Sequence, residues 1–83
     1  MTPSPLLRVT TASGSVYILD RDCMMWERKN TNPGHENIRG LEGVSWGALA
    51  AWPTIALGES MHIDDSEGLW IRTTPVVSIE DEA

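Results

Sequence analysis

Phenylalanine is absent from this chain of 83 residues, and tyrosine and cysteine each occur once. With Cys23 alone, no disulfide can form within the chain, and a single thiol fits a reducing compartment. Cys23 reads first as a small buried hydrophobe; no histidine neighbours it to suggest a reactive thiol. Long apolar runs are missing too. The longest weakly polar stretch, 44–57, is interrupted by Ser45, Gly47 and Pro53 and is far shorter than a membrane span. The opening MTPSPLLRV has neither the basic start nor the apolar stretch of a signal peptide, so a soluble, unprocessed, cytoplasmic protein is expected.

Basic residues are scarce: six Lys and Arg stand against twelve Asp and Glu, a net charge of −6. Residues 1–40 carry Arg8, Arg21, Arg28, Lys29 and Arg39 against four acids, a balance of +1. Residues 41–83 carry Arg72 alone against eight acids, a balance of −7. Phosphate backbones repel such a surface, which argues against direct nucleic-acid binding. Three roles remain for the acids: solubility, a basic protein partner, or mimicry of DNA by Glu42, Glu59, Asp64, Asp65 and Glu67.

What the chain does have is four tryptophans, which with Tyr17 are its only aromatic residues and are expected to supply much of the core. A chain this short forms one domain, 1–83, and buries only roughly 60% of the surface its unfolded form exposes. Residues 1–5 are expected to be flexible, and 80–83 form an acidic tail.

The final stretch, GLWIRTTPVVSIEDEA, alternates like a strand yet carries a proline in its middle. Leu69, Ile71, Thr73, Pro75, Val77 and Ile79 share one parity, and the alternation is expected to pass through Pro75 without a slip. A proline donates no hydrogen bond, so it fits an edge, a bulge or a point where a strand leaves one neighbour for another. The expected arrangement is a corner near Thr74 and Pro75.

Upstream, LLRVTT and SVYILD are two β-prone runs joined by Ala12-Ser13-Gly14, a hairpin loop. Asp20-Arg21-Asp22 is a polar turn, CMMWERK a third strand, and NTNPGHEN an exposed loop. Residues 41–52 read as a strand or, from Ser45, a short helix that Gly47 and Pro53 weaken. Residues 54–57 and 60–63 bracket Gly58 as a bent strand, and DDSEG turns into the final strand. The fold class is all-β: a small single-domain barrel or compact sandwich of about six short strands, with a short helix near 45–52 as the variant.

No catalytic pattern emerges. His35-Glu36 reads as a solvated loop pair. His62 and Asp64 share a strand face, with Asp65 and Glu67 as the nearest further ligands, but a zinc site needs three or four in the right geometry. Asp64, Asp65 and Glu67 lack the spacing of a calcium loop. Ser13-Gly14-Ser15 precedes a strand, not the helix a phosphate cradle uses. A non-enzymatic protein without metal or cofactor is expected.

Binding surfaces are the better prospect. Trp70, Arg72 and Thr74 fall on the face opposite the expected core, and aromatic and arginine side chains are enriched at interface hot spots. Trp26, on a strand beside Met25, is a second candidate, and Asp64, Asp65 and Glu67 a neighbouring acidic patch. The expected partner is another protein or a second copy, with no membrane and no direct nucleic acid.

TTASGSVYILD and RTTPVVSIE resemble segments of small uncharacterised all-β proteins of actinobacteria and their phages. In those, a TxSGSxY hairpin opens the chain and an RT[ST]PVxSI strand closes it. The likeness covers 10–20 and 72–80, and implies a lineage and a fold but no site residues. With it, the leading expectation is a phage-encoded interaction module acting on a host or phage protein. The alternatives are a self-assembling virion subunit and the acidic DNA mimic.

Overall fold

A computed structural model of the chain describes residues 6–29, 37–39 and 46–81, and every regular element in them is a strand. β1 (Leu6–Thr11) and β2 (Val16–Asp20) form an antiparallel hairpin. Its loop closes with the Gly14 N–H on the Thr11 carbonyl (2.9 Å) and Gly14 at φ 90°, a conformation that glycine adopts without strain. β3 (Met25–Lys29) follows through a turn that Asp20 organises, its Oδ1 accepting the N–H groups of Asp22 and Cys23, each at 3.0 Å. β5 (Trp46–Ala48) pairs with β3, so 46–48 is strand, and the short helix expected over 45–52 does not form there. Gly47 lies opposite Trp26 in that pairing, and the ladder replaces the helical turn a glycine disfavours.

β6 (Ser60–Asp64) and β7 (Trp70–Asp81) make the second hairpin. Residues 54–57, expected as strand, have only one bridge, Leu57 to Val76. β4 (Asn37–Arg39) pairs with the start of β7; the rest of the NTNPGHEN loop, with His35 and Glu36, and residues 40–45, with Glu42, lie outside the described residues. The sheet runs β4-β7-β1-β2-β3-β5, with β6 also on β7, and curls into a half-barrel. Its ends meet through the Leu49–Asp65 bridge, flanked by Ala50 N–H to Asp64 O (2.8 Å) and Ser66 N–H to Ala48 O (2.9 Å).

The corner expected at Pro75 is where β7 changes neighbours. Its first half pairs with β4 and β6, and its second half with β1. Register shifts flank the change: between Ser60 and His62 on one side, between Thr10 and Thr11 on the other. The buried Thr73 hydroxyl mends the first, accepting from Met61 N–H (2.9 Å) and donating to the Thr74 carbonyl (2.7 Å). The alternation does slip here. Ile71 and Thr73 are buried, but beyond Pro75 the buried residue is Val76, while Val77 and Ile79 are 57% and 37% exposed. The extra residue that β7 carries opposite β6, between Arg72 and Pro75, reverses the parity, as a bulge must.

The core gathers Val9, Tyr17, Leu19, Trp26, Leu49, Met61, Ile63, Ile71 and Val76 inside the curl. Of the four tryptophans only Trp26 is fully buried. Trp52 and Trp70 are half-buried, and Trp46 is 63% exposed, so aliphatic residues carry more of the core than the composition suggests.

Candidate functional site

The outer face of the β6–β7 hairpin collects most of the sequence-nominated residues. The antiparallel register sets His62 opposite Arg72 and Asp64 opposite Trp70. Residues two apart on a strand share a face, so His62 and Asp64 meet, Nε2 to Oδ1 at 2.9 Å, with both side chains about half exposed. On the diagonal, the His62 ring stacks on Trp70, with centroids 5.5 Å apart and planes 20° from parallel. Arg72 is exposed beside them and makes no hydrogen bond or ion pair among the described residues.

One residue pair along, Thr74 is committed rather than available. Its hydroxyl accepts from Ser13 N–H (3.1 Å) and donates to Ser13 Oγ (3.1 Å), tying β7 to the first hairpin loop. A cleft of about 410 Å³ opens on the other side of His62, lined by Trp52, Pro53, Thr54, Glu59, Ser60 and Asp64. Arg21 caps Trp52, its guanidinium carbon 5.0 Å from the ring centroid.

Two nominated residues face inward and are corrected. Trp26 is 1% exposed and Asp65 6%, and the indole Nε1–H donates to Asp65 Oδ2 at 3.1 Å. The other carboxylate oxygen accepts Glu67 N–H at 3.0 Å, which shapes the β6–β7 turn together with Gly68 at φ 84°. A buried indole needs an acceptor and a buried carboxylate needs donors, so each residue satisfies the other. Neither can touch a partner, and the acidic array suggested for DNA mimicry loses Asp65. Asp64 and Glu67 remain exposed.

His62 and Asp64 are brought together, yet no group of three or more His, Cys, Asp or Glu side chains converges among the described residues. Cys23 is exposed in the β2–β3 turn, not buried as a small hydrophobe. The negative charge of Asp20, its hydrogen bond to the thiol, slight burial and then the charge of Asp22 push the thiol above its ordinary pKa. A thiol held protonated is a poor nucleophile.

Sequence parity located Trp70 and Arg72 but missed His62 as their companion, because only the β6–β7 register sets its ring against the indole. A second feature that parity did not reveal is an apolar cleft of about 340 Å³ on the outer face of β1–β2–β3–β5, lined by Leu6, Ile18, Met25 and Trp46 with Asp20 and Glu27 at its rim. Among the described residues, no helix is long and apolar enough to cross a membrane. No family model, curated protein or solved structure matches the chain.

Proposed function

We propose that this chain is a non-enzymatic protein-interaction module that meets its partner through the outer face of the β6–β7 hairpin. One observation carries the reading: a histidine–tryptophan stack lies beside an arginine that makes no ion pair among the described residues, all three in strand register. Stacking restrains the indole and imidazole before any partner arrives, so little rotamer freedom remains to be lost on binding. Strands hold such groups more rigidly than loops do. Arg72, the only Lys or Arg in 41–83, would pair with a carboxylate on the partner. The likeness to actinobacterial and phage proteins directs the search to a host or phage protein.

The test uses the tagged full chain, purified gently from an actinobacterial lysate and weighed intact by native mass spectrometry. A stoichiometric complex is expected with the wild type. It should be lost with Arg72→Glu and with Trp70→Ala, while the Arg72→Glu melting temperature stays unchanged. Equal capture by the Arg72→Glu protein would refute the reading.

A second reading, self-assembly as a structural subunit, is favoured by Trp46. Its indole is 63% exposed at the edge of the apolar cleft, and large exposed aromatic side chains mark association surfaces. Sedimentation that shifts with concentration, and ceases to do so in Trp46→Ser, would select it over the first.

A further inference from the structure

We propose that the open edge of 77–81 in β7 receives an added strand from another protein, an extended segment that alternates apolar residues with Lys or Arg. The start of β7 has neighbours on both edges, β4 and β6. At Val76 the second edge is still occupied, by Gly58 N–H to Val76 O (2.8 Å) and Val76 N–H to Glu59 O (2.9 Å). From Val77 to the end of the strand, β1 is the only paired neighbour among the described residues. Every second peptide N–H and C=O on the other side therefore lacks a ladder partner among the described residues.

Apolar side chains line this edge in water: Val77 57%, Ile79 37% and Leu57, which bridges to Val76, 64% exposed. A strand that merely ends a sheet is commonly guarded by proline, lysine or a bulge along its length. Here the proline and the extra residue both lie at the start of the open stretch, where β7 changes neighbours, and the stretch beyond carries Ile79.

Charge selects the occupant. Glu59, Glu80 and Asp81 border the edge and are all exposed. Glu80 stands opposite Arg8 in the β1 register, which leaves Glu59 and Asp81 as the carboxylates a newcomer meets. Two copies paired through this edge would bring both sets of acids together on chains of −6 each, so the same side chains that reject a second copy favour a basic strand. Backbone pairing supplies the affinity, and Leu57, Val77 and Ile79 supply contacts for alternate side chains. This surface stands apart from the His62–Trp70 face, which lies on the doubly paired half of β7, and it does not depend on that face binding anything.

The test titrates the full chain with a labelled peptide of about ten residues alternating Lys and Val, and with its Glu–Val counterpart, following fluorescence anisotropy and backbone amide exchange by NMR. The expected result is binding at least about tenfold tighter for the basic peptide, weakened about tenfold or more by Val77→Lys at unchanged melting temperature. Slowed exchange should be concentrated in 77–81. Equal affinity for both peptides, or protection confined to the His62–Trp70 face, would overturn the proposal. Protection of 77–81 that grows with protein concentration without peptide would make a second copy the occupant and overturn it equally.

Discussion

Replacing Gly47 with alanine inserts one methyl group between the Trp26 indole and the Asp65 carboxylate. A Cβ at this position would overlap Asp65 Oδ2 and approach Trp26 Nε1 to 2.8 Å and Cε2 to 3.1 Å. The carboxylate cannot swing aside cheaply, because it is buried and its second oxygen holds Glu67 N–H. Relief requires either breaking the Trp26–Asp65 hydrogen bond or parting β5 from β3. A buried donor left unpaired costs about 1–3 kcal/mol, and an overpacked methyl costs about 1–3 kcal/mol more. The expected loss is then roughly 2–6 kcal/mol, against a total stability of about 4–12 kcal/mol for a domain of this length. With each kcal/mol worth roughly 4–8 °C, a loss near 3 kcal/mol lowers Tm by about 12–24 °C. Urea and thermal unfolding followed by tryptophan fluorescence measure this directly. The sharper assay is a double-mutant cycle with Asp65→Ala, which removes the overlapped oxygen. Gly47→Ala should cost at least about 1 kcal/mol less in that background. Costs that add within about 0.5 kcal/mol would show that the carboxylate does not obstruct the methyl, and the reasoning would fail.

Other consequences follow from single side chains. Thr73→Val keeps the shape but leaves Met61 N–H without its acceptor at the register shift, and should cost about 1–3 kcal/mol in chemical denaturation; an unchanged midpoint would count against the mended corner. The raised pKa of Cys23 means less thiolate at any pH below it, so alkylation at pH 8 should run slower in the folded chain than in urea. Asp20→Asn, which keeps the oxygen that caps the turn while removing the charge, should move the pH midpoint of alkylation down; an unmoved midpoint would exclude Asp20 as the cause.

Legibility in the sequence followed the range of the interaction. LLRVTT was readable as a strand to its observed bounds, and Gly14 and Gly68 marked both hairpins, since alternation and turn chemistry act over a few residues. CMMWERK was readable as a strand but not in its orientation: alternation places Met25 and Trp26 on opposite faces without saying which is inside. Of the candidate site, Trp70 and Arg72 were accessible through parity, whereas the burial of Trp26 and Asp65 was not, because their bond spans the distance from β3 to the β6–β7 turn. The strand at Trp46–Ala48 gave little local signal, being three residues long and held by β3 on one edge and the Leu49–Asp65 bridge beside it.

The amino-acid sequence by itself determined the all-β class, the two tight hairpins and the need for a corner at Pro75, because backbone propensity, period two and a missing N–H are properties of short segments. Only the tertiary structure decided which parity is buried beyond that corner, which tryptophan enters the core, and that His62 lies against Trp70. Each of these depends on register between strands distant in the chain, where one inserted residue turns every following side chain to the opposite face.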